Sequence, residues 1–158
     1  MRFLIPTPET LGDIRAFLAV DRRFELFGFS APPSVQELSS RIFAKRELGI
    51  FVVADPVVPD RSITFGLLNT KRPLRAVLVS SPKVEPKKAR DLLLAGVRRI
   101  FGTTRHTRLI WHARSGNDPL LGGLQEIGFT PMPKVPGGGP AVALQLEREK
   151  FAQRWPSG

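Results

Sequence analysis

The chain of 158 residues has the length of one ordinary domain, and its 42% hydrophobic and 24% charged residues match globular averages, which argues against general disorder and against two full domains. The absence of cysteine excludes disulfides, thiolate zinc sites and cysteine nucleophiles, and two histidines, His106 and His112, are too few for a histidine-rich metal centre. No apolar run approaches the roughly 18 residues of a membrane span and Met1 to Pro6 is too short for a secretory signal, so a soluble cytoplasmic protein is expected, while the formal net charge of +10 calls for an acidic partner: nucleic acid, a phosphorylated cofactor, anionic lipid or an acidic protein face.

In chain order, Met1 to Ile5 reads as a short first strand closed by Pro6. Thr7-Pro8-Glu9 supplies a cap, a first-turn proline and an early acid, and Leu11, Ile14, Phe17 and Leu18 recur on one helical face that should fade near Asp21. Residues 24–33 read as a loop packed by Phe24, Phe27 and Phe29. Ser34-Val35-Gln36-Glu37 is a capping box opening a second helix with Leu38, Ile42 and Phe43 on its face and Gly49 as its stop. Three apolar strands follow at Ile50 to Ala54, Ile63 to Leu68 and Leu74 to Val79, spaced as consecutive antiparallel neighbours.

Pro86 then opens a long helix with Leu93, Val97, Ile100 and Phe101 on one face and Gly102 as its stop. Arg108 to Ala113 is a strand, Asp118-Pro119 begins a short helix through Leu124 and Ile127 to Gly128, and Phe129 begins another strand region. Residues 131–140 form a glycine- and proline-rich loop, in which Gly137-Gly138-Gly139 is a flexible turn rather than a phosphate cradle because no helix follows it. Ala141 to Leu146 is the last strand. The organisation expected is one domain over residues 1–147 and a frayed tail over 148–158.

The order β-α-α-β-β-β-α-β-α-β-β is a mixed α/β pattern, and its two strand–helix–strand passages require some parallel strands. With the segment Arg108-Leu109-Ile110-Trp111-His112-Ala113-Arg114-Ser115-Gly116-Asn117-Asp118-Pro119 and the closing Leu124-Gln125-Glu126-Ile127-Gly128-Phe129, it resembles the GNAT-type N-acyltransferase superfamily. The resemblance implies a mixed central sheet of about six to seven strands flanked by about four helices. It also implies acetyl-CoA or another acyl-CoA in a gap beside Leu74 to Val79, with the pyrophosphate on the next helix N-terminus. Carried onto this chain, the binding residues would be Val79, Ser81, Lys87, Lys88, Ala89 and Asn117.

Several residues depart from that pattern. The loop Ser81-Pro82-Lys83-Val84-Glu85-Pro86-Lys87-Lys88-Ala89-Arg90 has no glycine, Pro86 removes a donor, and Glu85 places a carboxylate where phosphate would lie. The lysines also suit a solvated helix face, and Asn117 suits a turn and cap. Family enzymes commonly protonate the thiolate with a tyrosine at the position of Leu124, and this chain contains no tyrosine. Residues 63–79 hold no Asp or Glu to serve as base, which leaves His112 as the one weak catalytic candidate. Arg98, Arg99, Arg105 and Arg108 form a basic cluster that complements a helix C-terminus or holds phosphates, though no nucleic-acid-binding motif accompanies them. The expectation is therefore a GNAT-like domain short of its usual catalytic groups, serving as a binding module on an acidic protein surface or in a larger assembly such as a phage particle. The alternatives are a divergent acyl-CoA N-acyltransferase and non-specific nucleic-acid binding.

Overall fold

A computed structural model of the chain describes residues 2–68, 74–80, 84–85, 89–113, 120–132 and 142–156. Seven strands form one sheet: β1 (Arg2–Leu4), β2 (Leu48–Ala54), β3 (Ser62–Leu68), β4 (Leu74–Ser80), β5 (Arg108–Ala113), β6 (Thr130–Pro131) and β7 (Val142–Glu147), in the order β1-β2-β3-β4-β5-β7-β6. The helices are α1 (Leu11–Ala19), α2 (Val35–Ser39), α3 (Ala89–Thr103), α4 (Leu121–Ile127) and α5 (Arg148–Arg154). β2, β3 and β4 pair antiparallel, as the spacing of their apolar runs predicts, and β1 adds antiparallel to β2. The helical crossover α3 makes β4 and β5 parallel. The second passage, through α4, leaves β5 and β6 separated by β7, which pairs antiparallel with both.

Strand alternation gives the sheet two apolar faces. On one, Phe51, Val53, Ile63, Phe65, Leu109 and Trp111 pack against Leu93, Val97 and Ile100 of α3 and Leu124 and Ile127 of α4. On the other, Leu48 and Ile50 meet Leu11 and Leu18 of α1, Leu38 of α2, and Phe24 and Phe27. Two glycines permit this fit by close approach. A Cβ on Gly96 would lie 2.1 Å from the Phe65 ring, and one on Gly66 would lie 1.9 Å from the Phe27 ring. The Phe65 ring is in turn stacked on Phe51 at 4.9 Å.

Helix boundaries differ from the sequence reading wherever the stop is made by something other than glycine. After α1 the chain winds into a 3-10 helix over Val20–Phe27, where a loop is expected, and Gly28 ends it at φ +86°. Ser34 Oγ accepts from the Glu37 N–H at 3.1 Å, which is half of the expected capping box; the Glu37 carboxylate makes no return bond among the described residues. α2 then widens into a π turn over Ser40–Ala44, with the Lys45 N–H donating to the Ser40 carbonyl at 2.7 Å. Gly49 does not end this helix. It lies inside β2 opposite Leu67, and Arg46 makes the reversal at φ +53°.

Gly102 likewise stays within α3. The helix ends where the Thr103 and Thr104 hydroxyls donate back to the Arg99 and Ile100 carbonyls at 2.7 and 2.8 Å. α4 does end at Gly128, as expected, but begins at Leu121 with Leu120 at its cap; Asp118 and Pro119 lie outside the described residues.

The largest correction concerns the C-terminus. Residues 148–154 are helix α5, not a frayed tail, and Phe151 is buried 5.4 Å from the ring of Phe101. The Trp155 indole N–H donates to the Ile127 carbonyl at 2.8 Å, which ties this segment to α4. Arg148 Nε donates to the His106 carbonyl at 2.8 Å and Nη2 to the Thr104 carbonyl at 2.6 Å, while Nη1 donates to the Phe101 carbonyl. A single guanidinium thus gathers the carbonyls at and beyond the end of α3. Alternation at the sequence level shows β7 well but gives no sign of this anchor.

Candidate functional site

The site begins with the way β4 and β5 pair. Their ladder contains Leu74 with Leu109, Arg75 with Ile110 and Ala76 with Trp111, and goes no further. β4 nevertheless continues to Ser80, held on its other side by β3 through Val77 with Gly66, Leu78 with Phe65, Val79 with Thr64 and Ser80 with Ile63. β5 continues to Ala113, held by β7. Among the described residues, Val77–Ser80 therefore form a strand edge inside the sheet with no strand opposite. Such an edge presents main-chain N–H and C=O groups to any extended, amide-bearing ligand, the basis of recognition by added strands.

An acyl-CoA fits this opening in one respect that can be checked on the chain itself: its extended arm carries amides that match an unpaired strand edge. Among the residues expected to hold it, Val79 is in this edge, though its side chain lies outside the described residues. Ala89 is in the first turn of α3 with its side chain fully buried in the core. Only its main chain can face a ligand. Ser81, Lys87, Lys88 and Asn117 lie outside the described residues. His112 is on β5 opposite Ala143, and its side chain is likewise not described. Leu124 is completely buried among the core residues of α3 and α4, so an aliphatic side chain fills the position where the resemblance calls for a proton donor.

The four arginines have separate surroundings. Arg99 lies over the rings of Phe3 and Phe51 at 5.2 and 5.7 Å, a packing role for its cation. Arg108 is exposed and donates to Gln145 Oε1 at 3.4 Å, and Arg98 and Arg105 are exposed. The helix-end complement expected from this cluster is supplied by Arg148. Among the described residues there is no group of three His, Asp or Glu side chains that could hold a metal ion, and no helix is long and apolar enough to cross a membrane.

A cavity of about 370 Å3 lies on the α1 face of the sheet. Its walls come from residues 3–6 and Thr10, from α1 through Asp13, Ile14 and Phe17, from β2 through Ile50, Phe51 and Val52, and from Thr64 of β3. Thr64 is the one buried polar side chain among the described residues. Asp13 is exposed in the first turn of α1, and its carboxylate has no hydrogen bond or ion pair with the described residues. Asp13 lies outside the central strands, on or near which the sequence pattern calls for a base. The available signal was its spacing: Asp13 stands four residues before Phe17 and so borders the apolar face of α1.

Asp55, by contrast, is spoken for. Its carboxylate accepts from the N–H groups of Val57 and Val58 at 2.7 and 3.1 Å and pairs with Arg61 at 3.4 Å. The two main-chain donors, with Arg61 assisting, hold its pKa below the usual aspartate value.

No protein-family model and no curated protein matches the sequence. Solved structures do match in shape. A point mutant of spermidine N-acetyltransferase SpeG from Vibrio cholerae superposes with a TM-score of 0.71 at 18% identity, covering 98% of this chain and 99% of that one. Aminoglycoside acetyltransferase AAC(6')-Ib in complex with coenzyme A gives 0.65 at 14% identity, covering 98% of both chains. The fold is that of the GNAT-type N-acyltransferases: a mixed seven-stranded sheet that parts between β4 and β5.

Proposed function

We propose that this chain is an acyl-CoA-dependent N-acyltransferase. The observation that carries the reading is the β4–β5 ladder, which stops at Ala76 and Trp111 and leaves Val77–Ser80 unpaired on that side. The coenzyme A complex of AAC(6')-Ib, a protein of the same fold, supports it. When bound, an acyl-CoA supplies an activated acyl carbonyl. The chain's part is to align the extended arm along β4 and to direct main-chain N–H groups at the carbonyl oxygen as negative charge develops there. With no tyrosine in the sequence and Leu124 sealed in the core, the proton for the departing thiolate comes from water or from the amine itself.

Thermal unfolding with and without acetyl-CoA tests this. A ligand at about 100 times its dissociation constant stabilises the folded state by roughly 2.7 kcal/mol, so a clear rise in Tm is expected. An unchanged Tm at millimolar acetyl-CoA refutes the reading.

One observation favours a second reading, a catalytically degenerate domain serving as a binding module in a larger assembly. It is the buried Leu124 in a chain without tyrosine and with a net charge of +10. That reading predicts no response to acetyl-CoA and a stoichiometric complex with an acidic protein on size exclusion. If nucleic acid is the partner instead, the affinity falls steeply with salt.

A further inference from the structure

We infer that the cavity under α1 is the acyl-acceptor site and that its acceptor is a monoamine with an apolar body, about the size of one phenyl ring with a short tether. This assignment rests on the acyl-transfer reading above. Its first support is position. Leu4, Val52, Thr64 and Val79 are register partners across β1, β2, β3 and β4, so they form one row running across the sheet. Register partners on antiparallel strands share a face, and neighbouring strands lie about 4.8 Å apart. Val52 and Thr64 line the cavity. The row therefore leads from the cavity, in one strand spacing, onto the unpaired stretch of β4.

The second support is chemistry. A volume of about 370 Å3 is at the small end of ligand pockets, which run from roughly 300 to 1,000 Å3 and combine apolar walls with a few polar groups. Ile14, Phe17, Ile50 and Val52 suit an apolar body. Among the described residues the lining carries a single charge, the carboxylate of Asp13, and a carboxylate without a partner among them suits one ammonium group. An acyl chain would have no use for that charge. A polyamine or aminoglycoside would bring several cations to a chain of net charge +10, beside an Arg23 guanidinium only 4.5 Å from the Phe17 ring centroid. The cavity thus favours an acceptor class different from those in the names of the SpeG and AAC(6')-Ib structures.

The reaction balances without another reagent. The bound ammonium gives one proton to water, its nitrogen forms the amide bond as the thioester C–S bond breaks, and the nitrogen's next proton ends on the thiolate.

Isothermal titration of 2-phenylethylamine into the chain without coenzyme, for wild type, Asp13→Asn and Ile14→Trp, tests the site apart from turnover. Binding to wild type is expected, with at least tenfold weaker binding in both variants and unchanged circular dichroism. Asp13 is exposed, so Asp13→Asn keeps the test valid even if Ile14→Trp fails to fold. With acetyl-CoA present, wild type should acetylate 2-phenylethylamine faster than spermidine. Equal binding by wild type and Asp13→Asn, or faster acetylation of spermidine, overturns the assignment. So does a preference for hexanoyl-CoA over acetyl-CoA that Ile14→Trp abolishes, since an acyl chain would then occupy the cavity. Acetyl-CoA binding without amine binding overturns this inference and leaves acyl transfer standing, whereas amine binding without acetyl-CoA binding overturns the acceptor role together with acyl transfer.

Discussion

The guanidinium of Arg148 lies 5.0 Å from the ring centroid of Phe101 and donates to the main-chain carbonyl of the same residue. One side chain therefore holds both the packing surface and the polar terminus of α3, and it does so from the strand–helix junction after β7. Hydrogen bonds from a charged donor contribute about 1.5–3 kcal/mol each at most, with shared geometry making them less than additive. Arg148→Ala should destabilise the domain by about 2–4 kcal/mol. Arg148→Lys should recover less than half, since an ammonium cannot present the planar fork. Urea titration with an unchanged m-value checks both.

Phe151 is the deepest side chain of α5, and Trp155 beyond it is bound to Ile127. Phe151→Ala should cost about 3 kcal/mol or more, the range for large aromatic deletions in cores. A chain ending at residue 147 loses Arg148, Phe151 and Trp155 together, and its unfolding midpoint should fall further than that of either single variant. Chemical denaturation of the three proteins side by side measures the difference.

The same substitution should have opposite signs at two positions of α3. At Gly96 a Cβ would strike the Phe65 ring, which cannot retreat because Phe51 backs it in parallel stacking. Gly96→Ala should therefore destabilise by about 1–3 kcal/mol through overpacking. At Gly102 a Cβ meets nothing within 4 Å, so Gly102→Ala should stabilise by about 0.5–1 kcal/mol through helix propensity alone. The Tm values of the two variants should lie on opposite sides of wild type.

Asp55 gives a pH-dependent outcome whose direction is fixed. Its folded pKa lies below the unfolded value, so the folded state binds fewer protons at this site through the acid range. The stabilisation is complete above the unfolded aspartate pKa of about 3.9 and disappears as pH falls through the lower folded value. Asp55→Asn should be less stable than wild type at pH 7, and the gap should narrow as pH falls below the unfolded aspartate pKa. Stability curves measured across that window check the sign. A gap that widens toward acid contradicts the assignment.

Sequence pattern was informative where a local signal and a long-range contact agreed. The apolar runs at Ile63 to Leu68 and Leu74 to Val79 became β3 and β4 in the expected antiparallel pairing, because period and burial impose the same answer. Gly49 and Gly102 misled because helix ends are also made by other means: Arg46 in a left-handed turn, and a guanidinium arriving from residue 148. Arg148 was unreadable because its partners are 42 to 47 residues away in the chain. The parting of β4 from β5 was accessible only through the family resemblance, since no residue within Leu74 to Val79 signals that pairing stops at Ala76. The spacing of Asp13 to Phe17 marks the edge of the apolar face of α1, but the cavity at that edge exists only in the folded chain.

Phe65 and Gly66 are neighbours on β3, yet the ring of one seats at Gly96 on one side of the sheet while the other receives Phe27 from the opposite side. The two helical layers are thus keyed to a single dipeptide. Neither can slide across the sheet without dragging that strand and, through it, the other layer. A disturbance on the α1 side should therefore register mechanically in the seating of α3, and β3 amides should exchange with solvent only when both layers lift together.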